Sequence, residues 1–144
     1  KTHSSVSFAG MNTYVLTDSA TGKDMRSSYR VVAVVSIDWN DVAWVRDVDF
    51  GFWGPQEYCQ KICSAFDRYQ AKRVLMERVS WQEAFKTVMK TMREAEGKKM
   101  PRVHDVQGRT LISKLERIES LEPRFQNGKI FFDPGVYCVK TITY

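Results

Sequence analysis

The sequence is short of most features that would place it outside ordinary globular proteins. No apolar run approaches the roughly 18 residues a membrane-crossing helix needs, so no membrane partner is expected. The start, Lys1-Thr-His-Ser-Ser-Val, has neither an initiator Met nor the apolar stretch of a secretory signal. It reads as a piece cut from a longer polypeptide. There are 8 Gly, 4 Pro and 2 His in 144 residues, with no repeat and no low-complexity tract. Disorder is a poor reading for the body of such a chain.

The 3 cysteines, Cys59, Cys63 and Cys138, form no framework spacing. Unpaired thiols suit a reducing compartment. Cys59 and Cys63 lie four apart on an expected helix, where two small half-buried side chains are a better reading than a metal site without further ligands.

What is present fits one α/β domain spanning residues 1–144, with hydrophobic residues at 43% and charged residues at 27%. Tyr14–Thr17 is a short β-prone run. Tyr29–Ile37 is rich in β-branched residues, as a largely buried strand would be, and Val42–Phe50 returns after a Trp39-Asn-Asp41 turn. Three successive strands with short connections read as an antiparallel meander. Pro55 opens a helix, in which Tyr58, Ile62, Ala65, Phe66 and Tyr69 recur at helical spacing. Lys72–Met76 is a further strand. Ser80 with Glu83 forms a capping box for a second helix, carrying Trp81, Phe85, Val88, Met89 and Met92 on one face and stopping at Gly97. Val103–Val106 reads as a strand. A third helix is expected over about 109–121, with Leu111, Leu115, Ile118 and Leu121 as its apolar stripe and Pro123 as its end. Lys129–Phe132 is a last short strand, and Val136–Tyr144 is ambiguous.

The formal net charge is +5, and it is unevenly spread: residues 97–144 carry nine Lys/Arg against five Asp/Glu, the first 96 thirteen against twelve. A basic C-terminal third on a near-neutral body fits a polyanion-facing surface as well as it fits an ordinary solvated face.

Two carboxylates stand apart. Asp18 follows a strand and precedes a small-residue loop; Glu77 ends another β-prone run just before a helix. Sites in open α/β sheets gather beyond the ends of neighbouring strands. Were those two strands adjacent, the pair would form a hard oxygen site for Mg²⁺ or Mn²⁺. A turn-forming Asp18 and a surface Glu77 beside Arg78 remain the plain alternative. Asp38, Asp41, Asp47 and Asp49 are expected in or beside turns, facing water. Trp53 and Trp81 read as core aromatics and His104 as structural.

Leu16-Thr-Asp-Ser-Ala20 resembles the first catalytic motif of the nuclease domain of phage terminase large subunits. Arg73-Val-Leu-Met-Glu77 followed by Val79-Ser-Trp-Gln82 is similar to that family's second motif, in which a strand delivers a Glu and a Gln follows early in the next helix. The most specific match is Ser113-Lys-Leu-Glu-Arg117-Ile-Glu-Ser-Leu121-Glu-Pro-Arg-Phe125-Gln-Asn-Gly128-Lys-Ile130, where a Lys and an Arg three apart precede a Leu, a Pro-Arg-Phe and a Gly-Lys-Ile strand. The resemblance implies a ribonuclease H-like fold, a mixed central sheet with antiparallel first three strands flanked by helices. It also implies DNA cleavage at the start or end of genome packaging by two-metal hydrolysis with Mg²⁺ or Mn²⁺. Asp18 and Glu77 would be the catalytic metal ligands.

Lys114 and Arg117, with Lys98, Lys99, Arg124 and Lys129, would contact double-stranded DNA; pairing with nearby acids is the alternative for Lys114 and Arg117, and simple solubility for Lys98 and Lys99. The implied partners are an ATPase domain of the same polypeptide, a portal protein and a small terminase subunit, in the host cytoplasm. The chain departs from the pattern in lacking the His-Asp-Asp segment that supplies the final catalytic Asp, since Asp133 in Phe132-Asp-Pro134 has the wrong context. Truncation before that motif is the expectation, with weak or absent cleavage. The other readings are a junction resolvase or transposase on the same fold, and a non-catalytic DNA-binding or docking module.

Overall fold

A computed structural model describes residues 6–19, 29–77, 82–107 and 114–136, leaving aside the side chains of Lys114 and Gly135. The loop after Ser19, the Ser80 cap, Trp81, Leu111, Cys138 and the segment from Tyr137 to Tyr144 lie outside the described residues. The chain order is β1 (Asn12–Asp18), β2 (Arg30–Ile37), β3 (Ala43–Gly51), α1 (Pro55–Arg68), β4 (Arg73–Glu77), α2 (Gln82–Ala95), β5 (Val103–Val106), α3 (Lys114–Glu119), α4 (Glu122–Gln126) and β6 (Ile130–Phe132), closed by a 3₁₀ turn at Pro134–Val136.

The six strands form one sheet in the order β5-β4-β1-β2-β3-β6. β2 is antiparallel to both its neighbours, while β1 with β4, β4 with β5, and β3 with β6 pair in parallel. All strands but β2 therefore run one way. A mixed sheet with an antiparallel β1–β3 meander, continued in parallel by β4 and β5 beyond β1, is the ribonuclease H-like arrangement.

The meander forms where β-branched residues alternate. Along β2, Val32, Val34 and Ser36 are buried and Val31, Ala33, Val35 and Ile37 are half-buried. Asp38 ties the β2–β3 turn, its carboxylate accepting the backbone N–H groups of Asn40 (2.8 Å) and Val42 (3.0 Å). These bonds, with Val42 first, hold the Asp38 carboxyl below its ordinary value. Gly51 ends β3 where a Cβ would lie 2.5 Å from Trp53 Nε1, so a side chain there would displace the indole.

One face of the sheet is covered by α1 and α2. Val15, Val34, Val74, Met76, Tyr58, Cys59, Ile62 and Met89 are all but inaccessible in this core, and Trp53, Phe66 and Val103 pack against it. Burying a side chain such as Ile62 contributes roughly 1.5–3 kcal/mol. Arg30 is the unusual member: it is buried at the start of β2, donates to the Trp53 carbonyl, and lies over the Tyr58 and Phe85 rings at 5.6 and 5.5 Å. Ring faces and a carbonyl solvate the cation where water does not reach.

Four expectations need correction. Pro123 does not end the third helix: α3 stops at Glu119, and Pro123 lies in the first turn of α4, where its missing N–H costs nothing. The apolar stripe of α3 is not buried, for Leu115, Ile118 and Leu121 remain 64%, 57% and 43% exposed. Helical spacing shows that a face exists, not that something covers it. Asp47 and Asp49 sit within β3 rather than in turns, Asp49 paired with Lys61 (3.0 Å) and Asp47 accepting from Tyr69 Oη (3.1 Å). Cys59 and Cys63 are buried rather than half-buried.

Burial pushes the Cys59 thiol up to about 12, and Cys63 upward as well. A neutral thiol is a poor nucleophile. In a Cys138→Ser background, iodoacetamide at pH 8 is expected to modify neither cysteine until denaturant unfolds the chain, which mass spectrometry would show. Fast labelling of the native protein would contradict the packing.

α1 and α2 are also joined through Arg93, whose guanidinium donates to both Asp67 carboxylate oxygens (2.6 and 2.9 Å) and to the Lys99 carbonyl (2.7 Å). The Arg93 side chain is 6% exposed and that of Asp67 38%. The Arg93 hydrogen bonds, aided by charge from Lys98, hold the Asp67 carboxyl below its ordinary value of 3.8. A depressed carboxylate stabilises the fold above that ordinary value and ceases to as pH falls through the folded one. Asp67→Asn is therefore expected to cost about 1–2 kcal/mol at pH 7, screening at the exposed carboxylate included. The gap to the parent protein should close below about pH 3.8, as urea unfolding across pH would show.

Candidate active site

β1 and β4 carry the two carboxylates singled out in the sequence. Their parallel register pairs Tyr14 with Arg73, Val15 with Val74, Leu16 with Leu75 and Thr17 with Met76. One further step sets Asp18 beside Glu77. Neighbouring strands lie about 4.8 Å apart, so the two residues share the carboxyl edge of adjacent strands. They also share a face. Val15, Val74 and Met76 point into the helix-covered core, and strict alternation turns Leu16 and Asp18, like Leu75 and Glu77, to the opposite side.

An open cleft of about 420 Å³ lies on that side, lined by Leu16, Thr17, Leu75, Glu77, Val106, Gln107 and Arg117. Its lining is mostly apolar. Arg117 enters from α3, the helix that begins at Lys114. The cleft thus brings one cation, one carboxylate and an amide together at the end of the sheet where Asp18 also sits. Thr17 Oγ1 donates to the Leu75 carbonyl (3.3 Å), cross-tying the two strands just below. Tyr58 of α1 is buried nearby; burial first, then the Asp18 charge, pushes its phenol up to about 12, so it stays neutral.

The other basic residues go elsewhere. α2 starts beyond the carboxyl end of β4 and runs back, so Lys98 and Lys99 follow it to the opposite end of the sheet, where Lys98 lies 3.7 Å from Asp67 and 3.5 Å from Glu96. Arg124 reaches Asp41 (3.3 Å) and Lys129 the Asn40 carbonyl (3.0 Å), both clasping the β2–β3 turn. That turn is again at the end away from Asp18. Asp133 follows β6, its N–H donating to the Val45 carbonyl (2.8 Å), with β3, β2 and β1 between it and Glu77. His104 is exposed on β5 opposite Leu75.

Asp105, Val106 and Gln107 escaped notice in the sequence, because a four-residue strand gives little periodicity. Asp105 is in register with Met76, hence on the helix-covered side. There it accepts from Gln82, the amide of the second motif, and pairs with Lys86 (2.9 Å). Gln82 thus anchors β5 beside β4 and so holds Val106 and Gln107 at the cleft.

Among the described residues no group of three or more His, Cys, Asp or Glu side chains is placed to share a metal ion. The Asp18–Glu77 pair fits a single hard cation, since Mg²⁺ commonly takes one or two carboxylates and keeps several waters. It does not by itself make a two-metal cage.

No protein-family model matches the sequence, and no curated protein matches it. Three solved structures are similar to it in part. The yeast mitochondrial Holliday junction resolvase superposes with a TM-score of 0.49 at 9% identity, over 87% of this chain and 66% of its own. The fowlpox virus Holliday junction resolvase gives a TM-score of 0.47 at 11% identity, over 79% of this chain and 74% of its own. The same viral enzyme in complex with Holliday junction DNA gives 0.43 at 10%, over 78% and 74%. This chain spans just under two thirds of the yeast protein.

Millimolar Mn²⁺ is expected to raise the thermal midpoint of the protein saturably, because an ion that binds only the folded state stabilises it. Asp18→Asn and Glu77→Gln should each remove most of that rise. Equal rises in both variants would take the cation site away from this pair.

Proposed function

We propose that this domain is a divalent-metal-dependent DNA endonuclease, with Asp18 and Glu77 as its metal-binding carboxylates. The observation that supports the reading is the parallel pairing of β1 with β4, two strands that end in acids from distant parts of the sequence, with Glu77 lining a cleft. A bound Mg²⁺ or Mn²⁺ would neutralise charge on the phosphodiester and activate the attacking water. The residues of the chain do the rest. Asp18 and Glu77 bind the ion, Arg117 holds a phosphate oxygen, and Leu16, Leu75 and Val106 give the cleft an apolar floor that limits water.

The finer reading is the nuclease of a genome-packaging terminase. It is supported by the Asp18 and Glu77 motifs and by the segment from Ser113 to Ile130, which delivers Arg117 to the cleft. Double-stranded DNA, an ATPase domain, a portal protein and a small terminase subunit would be its partners. A ribonuclease H-like sheet serves junction resolvases equally well, so a four-way junction is the second substrate to test. Further metal ligands for a two-ion mechanism would come from outside the described residues.

Plasmid nicking should require Mn²⁺ or Mg²⁺, stop with chelator, and vanish in Asp18→Ala and Glu77→Ala. Comparing linear duplex with a four-way junction, each at equal concentration, separates the packaging reading from the resolvase reading. Arg117→Ala should weaken binding to duplexes of unrelated sequence and lower the salt slope of binding by about 1. Cleavage that survives both carboxylate substitutions would overturn the assignment.

A further inference from the structure

The sheet end farthest from Asp18 holds a second concentration of positive charge. We propose that a cleft there, lined by Phe8, Gly10, Thr13, Arg46, Arg68 and Tyr69 among others, is a binding site for a phosphate group. The cleft encloses about 310 Å³, enough for a small anion or one backbone phosphate with its sugar. It lies at the amino end of β1, about 20 Å from Asp18 at 3.2–3.4 Å per residue.

Two guanidinium groups define it. Arg46 lies 4.0 Å over the Phe8 ring and 4.9 Å over the Tyr69 ring, and Arg68 approaches Tyr69 at 5.5 Å. Aromatic contacts occupy the guanidinium faces and leave the N–H edges as donors. That is the rigid fork by which arginine grips a tetrahedral oxyanion. The Arg46 edge is barely used: its Nη1 reaches only Ser36 Oγ at 3.5 Å.

Neither arginine has a carboxylate within ion-pairing distance among those residues. The acid beside them, Asp47, accepts from Tyr69 Oη and leaves the group with one net positive charge. Two like charges lining one cleft repel, and an oxyanion between the two arginines removes that repulsion. The φ of +80° at Gly10 turns the backbone into the same cleft without a side chain to obstruct it.

The test is made in EDTA, so that it reads no metal and no cleavage and stands apart from the nuclease assignment. Inorganic phosphate is titrated against chloride at matched ionic strength, following the thermal midpoint. The parent protein should show a saturable rise with phosphate alone. Arg68→Gln, at an exposed position, and Arg46→Lys, which keeps the charge but loses the fork, should each weaken phosphate about tenfold or more. If Arg46→Lys fails to fold, Arg68→Gln carries the comparison.

Binding of a random-sequence duplex then separates the sources. A salt slope lowered by about 1 in Arg68→Gln identifies a DNA backbone phosphate. An unchanged slope with phosphate binding lost identifies a free phosphate-bearing small molecule. Equal responses to phosphate and chloride, or equal phosphate binding by parent and variants, would refute the site.

Discussion

Everything at the candidate active site depends on β1 pairing in parallel with β4. A parallel neighbour cannot be reached by a tight turn, so the chain must leave the sheet and come back, and α1 makes that return. α1 is held down by Tyr58, Cys59, Ile62 and Cys63, which fill the space over Val15, Val34 and Val74. The register of the acids is thus fixed by apolar packing on the far side of the sheet. A slip of one residue would turn Val74 and Met76 out to water and Glu77 into the core. The cost of that slip is what aligns Asp18 and Glu77, two groups that would otherwise repel.

The two faces of the sheet do different work. The face under α1 and α2 is closed, tied by Arg93 to Asp67 and by Gln82 and Lys86 to Asp105. The other face is apolar but only half-buried at Val31, Ala33, Val35 and Ile37, and α3 presents exposed Leu115 and Ile118. Rigidity on one side with access on the other suits a site that must hold acids still while admitting a polymer. The basic residues are likewise divided between the two ends of the sheet, with Arg117 at the acids and Arg46 and Arg68 at the opposite end.

Much of this is legible in the sequence. The nine-residue run Tyr29–Ile37 announced β2, the Tyr58–Ile62–Phe66 spacing announced α1, and the placement of Asp18 and Glu77 after β-prone runs marked them as unusual. What escaped was non-local. Asp47 and Asp49 look like turn residues because they are acids, yet they alternate along β3 and find Tyr69 and Lys61 on α1 and at its end. Lys98, Lys99, Arg124 and Lys129 looked like one basic stretch with Arg117. Only the direction of α2 and the placement of β6 beside β3 reveal that they sit at the end of the sheet away from the acids. Arg46 gave no signal at all, since its value lies in the rings that Phe8 and Tyr69 bring to it from elsewhere.

The sheet ends on one side in β5, four residues, and on the other in β6, three residues. Its long β-branched strand, β2, is third from one edge and fourth from the other, paired from Val31 to Ile37 on both sides. A run such as Val31–Ile37 is the kind of segment that seeds intermolecular cross-β stacking when left open. Among the described residues the two edge strands are stubs, one of them carrying Asp105, too short to template a foreign strand, and β6 covers β3 only from Ala43 to Val45. Docking of β5 on β4 and of β6 on the start of β3 therefore shortens the adhesive edge the sheet presents. Loosening either would expose β4, or the start of β3, as a longer adhesive edge.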